Sequence, residues 1–134
     1  KITVVKYTVV DDVGVVINPL LLDGQIHGGV AQGLGQILFE DIAYDLTTGQ
    51  MLTGSFMDYA MPRGDDLPDI YVEANTVPTS TNPLGVKGAG EAGTIAAMPC
   101  VMNAAIDALS SLGVSQLDMP LTPVRVWQAI QSSG

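Results

Sequence analysis

Cysteine and histidine are almost absent from this chain: Cys100 and His27 each stand alone among 134 residues. A lone cysteine excludes an internal disulfide framework and any zinc or iron–sulfur site built from several thiolates. Cys100 is expected to be a small buried apolar residue, and no metal site made of protein ligands is expected. Bases are scarce too: Lys1, Lys6, Arg63, Lys87 and Arg125 face 14 acids, for a net charge of −9. Such a field repels phosphate backbones and anionic lipid surfaces, so nucleic acid and membrane are not expected partners. No apolar run is expected to approach the ~18 residues of a membrane-spanning helix; Val13–Ile17 and Leu20–Leu22 are short and punctuated. An initiator methionine, a signal-peptide pattern, an internal repeat and a separating linker are also missing. "KITVVKYTVVDD" opens in the middle of what reads as a strand. Residues 1–134 are therefore expected to be one piece of a larger domain, with partner strands preceding them.

What is present is apolar: 47% of residues are hydrophobic and only 14% charged, at a mean hydropathy of +0.34. With no membrane run to absorb it, that surplus is expected to be buried against other protein.

Residues 2–12 are β-branched and aromatic, a strand signature, and 13–19 read as extended backbone stopping at Pro19. In "DGQIHGGVAQGLGQILFED", 23–41, Ile26, Val30, Leu34, Ile37 and Leu38 recur with the spacing of an amphipathic helix. Gly24, Gly28, Gly29, Gly33 and Gly35 interrupt it, each costing ~1 kcal/mol against alanine in a helix interior. Two explanations stay open: close packing of the helix on a sheet, or close approach of a bound cofactor. Residues 42–56 predict two short strands joined by a Thr47-Thr48-Gly49 turn, 57–69 an acidic loop, and 70–76 a strand with Ile70, Val72 and Ala74 on one face. Residues 77–93 hold only turn formers, which in a compact domain points to function. Thr94 is expected to N-cap a helix in which Pro99 makes a first turn or kink and Met102, Ile106, Leu109 and Leu112 form an apolar stripe. Gly113 should end it, and Thr122-Pro123 should start a last helix running to about Ile130. The class is α+β: short strands packed with two or three helices.

"GVKGAGEAGT", 85–94, holds four glycines and the only acid between Asn75 and Ala105, Glu91. Gly88–Gly93 matches G-x-G-x-x-G, with Asp107 near the distance of a ribose-binding acid, but the setting fails. "TSTNPLGVK" precedes it instead of a central strand, Pro83 forbids one, and Asp107 falls within a helix. Lys87 precedes the glycines, so the stretch is no P-loop either. The alternatives that remain are a general base cleared of bulk and a carboxylate that satisfies free N–H groups at the next helix. Small neighbours would partly desolvate Glu91 and raise its affinity for a proton, while Lys87 and the helix start would lower it. Such a balance leaves an ionised group that is still basic.

"DDVGVVINP", "GQIHGGVAQGLGQ" and "GVKGAGEAGT", in that order, resemble the C-terminal part of the large subunit of the molybdenum hydroxylases. These are the xanthine dehydrogenase, aldehyde oxidoreductase and aerobic carbon monoxide dehydrogenase family. The resemblance implies a fragment of the molybdopterin-binding domain of a cytoplasmic oxidoreductase that hydroxylates with water as its oxygen source. It implies Glu91 as the catalytic base, Gln25 as a contact to the pterin, and backbone N–H groups of Ala89 and Gly90 lining the same pocket. Gly28 and Gly29 become close-approach positions under the cofactor, with Gln32 a second polar contact. The cofactor implied is molybdopterin carrying molybdenum, in some members in a cytosine dinucleotide form. FAD and iron–sulfur clusters would sit on partner subunits or domains, and the rest of the large subunit would cover this segment. Xanthine-type members tend to have proline after the Gly-Glu pair, where this chain has Ala92-Gly93. "GGVAQGLGQ" and "GSFMDYAMPR" look closer to bacterial carbon monoxide dehydrogenase-like enzymes, whose copper-binding cysteine lies upstream of this segment. A rival reading is a structural or assembly module whose glycine-rich loop only packs against a partner.

Overall fold

Asn18-Pro19 is where extended backbone turns into the longest helix, and the cause is local. Asn18 is extended, at φ −139° and ψ 104°, and its side-chain oxygen accepts the Leu21 N–H at 3.2 Å. Pro19 takes the first helical position, where its missing N–H would have had no intrahelical partner. Helix α1 therefore spans Pro19–Leu38. It starts before the point read from apolar spacing, and Pro19 opens the helix rather than simply closing an extended run. The computed structural model describes residues 1–133.

Strand β1 (Lys6–Asp11) precedes α1 and strand β2 (Asp69–Ala74) follows it; they pair in parallel, Lys6 opposite Asp69 through Asp11 opposite Ala74. Tyr7 and Val9 turn to the core and Lys6, Thr8 and Val10 away from it. On β2, Ile70 and Val72 are half-buried, whereas Ala74 is exposed. The two strands expected around Thr47-Thr48-Gly49 shrink to one antiparallel bridge, Tyr44 with Met51. There Asp45 Oδ1 accepts the N–H groups of Thr47 and Thr48 at 2.8 and 2.9 Å. The turn is thus satisfied by a side chain, and with Leu46 99% exposed no core rewards a longer ladder.

Helix α2 spans Ala92–Leu109 and runs through Pro99 without ending there. Its buried residues are Gly93, Ala97, Val101 and Ala105, four apart. The expected stripe is corrected accordingly: Met102, Ile106 and Leu109 flank the contact half-buried, and Leu112 is exposed. Size explains it, because α1 comes so close that only small side chains fit. A Cβ on Gly29 would lie 3.0 Å from Gly93 Cα, one on Gly33 2.5 Å from Ala97 Cβ, and one on Gly93 would run into the Ile26 carbonyl. The successive contacts 29–93 and 33–97 make the two helices parallel and in step. Close packing is thus the reason for Gly29 and Gly33, though against a helix rather than the sheet.

Around this pair Ile26, Val30, Leu34 and Ile37 of α1 are fully buried together with Leu121. Gly113 closes a 3-10 turn (Ser110–Leu112) after α2. Helix α3 spans Pro123–Ser133, with the Arg125 N–H donating to Thr122 Oγ1 at 3.4 Å, as expected of a Thr-Pro start. Cys100 is exposed, contrary to expectation. It lies on the flank of α2 beside the stripe that faces α1, lining an apolar groove of about 460 Å³ with residues 1–7. By length and composition alone, residues 92–112 are apolar enough to cross a membrane; the small-residue stripe of this helix is what α1 covers.

The helix contact is expected to discriminate between glycines. Gly93→Ala should lower stability by about 1–3 kcal/mol through overpacking. Gly28→Ala, whose Cβ meets nothing within 4 Å, should gain about 0.5–1 kcal/mol of helix propensity. Denaturant midpoints of the two variants check the opposite signs.

Candidate functional site at the start of helix α2

Because α1 and α2 are parallel and in step, the N-terminal end of α2 lies beside the middle of α1, level with His27 and Gly28. The face α1 leaves open there is small and polar. Gln25, Gly28 and Gln32, spaced three and four apart, are all exposed, and nothing lies within 4 Å of a Cβ placed on Gly24 or Gly28. The side-chain amide of Gln25 hydrogen-bonds to no protein group among the described residues. His27 turns back on its own helix, its ring N–H donating to the Asp23 carbonyl at 2.7 Å. Gly29 is the exception among the expected site residues. It is buried against Gly93 and Thr94, so the close approach it permits is that of α2.

Glu91 is the residue immediately before α2, at φ −108° and ψ −4°, and is exposed. Its backbone carbonyl accepts the N–H groups of Thr94 and Ile95, both at 3.1 Å, but its side chain makes no capping hydrogen bond. Capping, one of the two roles left open for it, is therefore not what this carboxylate does. Its glycine and alanine neighbours are too small to cover it, and they leave it exposed. Thr94 lies inside the first turn instead of at the cap, and its hydroxyl donates across to the Gly29 carbonyl at 3.1 Å. Ala89 is half-buried and Gly90 exposed.

The residues leading into Glu91 are braced from the end of β1, a feature sequence reasoning missed. Asp12 Oδ1 accepts the N–H groups of Gly14 at 2.9 Å and Val77 at 3.0 Å, and Asp12 Oδ2 meets Lys87 Nζ at 2.5 Å. The Lys87 N–H donates to the Val13 carbonyl at 2.9 Å, and the Val15 N–H to the Gly85 carbonyl at 3.0 Å. Gly14 and Gly85 cross so closely that a Cβ on Gly14 would strike the Gly85 carbonyl; both have positive φ, 66° and 67°. Asn82 Nδ2 donates to the Val86 carbonyl at 2.9 Å, while its Oδ1 accepts from Leu84 and Val86 at 3.1 and 3.2 Å. Asp-x-Gly at 12–14 and Asn-Pro-x-Gly at 82–85 are turn signals that could have pointed to these braces.

Downstream of Lys87 the bracing stops. Among the described residues the backbone N–H groups of Gly88, Ala89, Gly90 and Glu91 donate to no protein acceptor. Nothing lies within 4 Å of a Cβ on Gly88 or Gly90. Free N–H groups at a helix start, with no bulk around them, suit an anionic or polar heterocyclic group. On the open face of α1 the exposed Gln25 carries an amide whose donor and acceptor atoms match the edge of a flat heterocycle. The residues present fit a phosphate-bearing pterin.

Residues 1–68 match the molybdopterin cofactor-binding domain model. Over 128 residues, 96% of the chain, the sequence is 44% identical to the nicotine 6-hydroxylase large subunit of Paenarthrobacter nicotinovorans, covering 16% of that protein. It is 33% identical over 94% of its length to the carbon monoxide dehydrogenase large chain of Hydrogenophaga pseudoflava, again covering 16%. The structure superimposes on quinoline 2-oxidoreductase from Pseudomonas putida 86 with a TM-score of 0.94 at 40% identity, over 98% of this chain and 17% of that one. The chain belongs to the molybdopterin-binding family of the molybdenum hydroxylases, and it spans about one-sixth of the length of the relatives it matches.

Asp12 gives the brace a pH dependence. The Lys87 ammonium first, then the Gly14 and Val77 N–H groups, hold its carboxyl down at about 2, against an ordinary 3.8. A depressed folded value means that its contribution to stability is present above about pH 4 and is lost as pH falls towards 2. At pH 6 Asp12→Asn should be less stable than the parent chain, and the gap should close between about pH 4 and 2. Unfolding midpoints of both proteins across that range are the check.

Proposed function

We propose that this chain supplies the catalytic base and one wall of the cofactor pocket of a molybdenum-dependent hydroxylase that takes its oxygen from water. Glu91 carries the proposal: a lone carboxylate, free of capping bonds, at the mouth of a glycine-cleared cradle. Its role is to take the proton from the water-derived oxygen that attacks an electron-poor substrate carbon, a contribution of ~10²–10⁴-fold for a positioned base. Gln25 and the N–H groups of Ala89 and Gly90 hold the pterin or its phosphate, and Gly28 leaves room for it. Gln32 is a second polar contact one turn along the same face. When bound, the molybdenum–pterin group supplies the two-electron redox chemistry.

A nitrogen heterocycle is the favoured substrate class. Identity is higher to the nicotine hydroxylase and the quinoline oxidoreductase, 44% and 40%, than to the carbon monoxide dehydrogenase chain, 33%. Electrons then leave through iron–sulfur and flavin centres on partner subunits, in keeping with relatives that are large subunits of multi-subunit enzymes. The exposed Val5, Leu20, Phe56 and Met57, each more than three-quarters accessible, are covered by the remainder of the large subunit. By itself the 134-residue chain is inert, because the other walls of the pocket come from elsewhere.

In the complete enzyme Glu91→Gln should keep molybdenum and pterin at parental content while kcat falls by about 10²–10⁴-fold. Metal and pterin analysis beside steady-state kinetics decides. Loss of cofactor together with activity would instead support a packing or assembly role for the loop.

A further inference from the structure

The segment carrying Glu91 is fixed at both ends and free in between. Downstream, Gly93 is wedged against Ile26 and Val30 and the Thr94 hydroxyl is tied to Gly29 at 3.1 Å. Upstream, Lys87 is held twice, by its N–H on the Val13 carbonyl at 2.9 Å and by its ammonium on Asp12 at 2.5 Å. The four residues 88–91 bridge these anchors with no backbone N–H bound to protein among the described residues, and two of them are glycine. Glycine confers no stiffness of its own, so the position of Glu91 is set by its anchors. The downstream one is helix packing. The upstream one converges on Asp12, which gathers the N–H groups of Gly14 and Val77 and the Lys87 ammonium at the end of β1.

We propose that Asp12 and Lys87 are positioning residues for the proposed base: their ion pair clamps the upstream end of the 88–91 bridge to β1 and thereby places the Glu91 carboxylate. This rests on the reading of Glu91 given above. Both side chains are about one-third exposed, so as a contribution to stability the pair is minor. Its effect is geometric, since misplacing a reacting group by about 1 Å can cost 10²-fold in rate.

The test is a set of variants of the complete enzyme. Asp12→Asn and Lys87→Met should each lower kcat by about 10- to 100-fold with KM changed less than about threefold, since the loss lies in placing the reacting group. Molybdenum and pterin content should not change, and amide hydrogen exchange should quicken across 77–91. Asp12→Asn with Lys87→Met should be no worse than either alone, and Lys87→Arg, which keeps the charge, should recover most of kcat. Added to Glu91→Gln, Asp12→Asn should cost nothing further. Arg125→Met, which breaks a separate ion pair, to Asp41, should leave kcat as it was. If Glu91→Gln abolishes turnover while Asp12→Asn and Lys87→Met leave kcat intact, the positioning proposal is overturned and the base stands. If Glu91→Gln itself leaves kcat intact, the base reading fails and takes the positioning proposal with it. Loss of cofactor from the Asp12 or Lys87 variants also overturns positioning, in favour of a purely structural clamp.

Discussion

Everything at the candidate site depends on how closely two parallel helices approach. Gly29 and Gly33 on α1 and Gly93 and Ala97 on α2 remove the side chains that would hold the backbones apart. The packing is therefore backbone against backbone, with a hydroxyl–carbonyl hydrogen bond from Thr94 to Gly29 across it. Steric repulsion rises steeply with overlap, so such a contact has little tolerance in register or separation. It sets where α2 begins relative to α1. That in turn sets where the free N–H groups and the carboxylate before α2 lie relative to Gln25 and Gly28.

Four of the five glycines of α1 consequently divide by what they face along one helix. Gly29 and Gly33 face α2 and serve packing, whereas Gly24 and Gly28 face open space. Two pressures on sequence produce what looks in one dimension like a single glycine-rich motif. Conformational freedom explains neither set, because all four residues are helical. What matters is the missing Cβ, on one side to admit a helix and on the other to leave a face clear.

The loop before α2 combines rigid and unengaged parts. As far as Lys87 it is stitched to residues 12–15 by hydrogen bonds and by the Gly14–Gly85 crossing. From Gly88 to Glu91 its N–H groups meet no protein acceptor among the described residues. Such a division suits a ligand-holding loop, in which a braced scaffold presents groups whose hydrogen-bonding capacity is left for the ligand.

The α+β class, the apolar face of α1, the start of α3 at Thr122-Pro123 and the glycine-cleared setting of Glu91 were legible along the chain. Each depends on local chemistry: periodicity, capping and side-chain size over a few neighbouring residues. Pro19 misled because a proline can end an extended run or open a helix, and only the Asn18 side-chain bond to Leu21 shows which. Tertiary structure alone decided that α2 buries Ala97, Val101 and Ala105 rather than its larger residues, because the available depth is set by a helix some sixty residues away. It alone left Cys100 exposed and joined Asp12 to Lys87 across 75 positions. Those outcomes follow from which surfaces meet, and no spacing within either segment encodes the distance to the other.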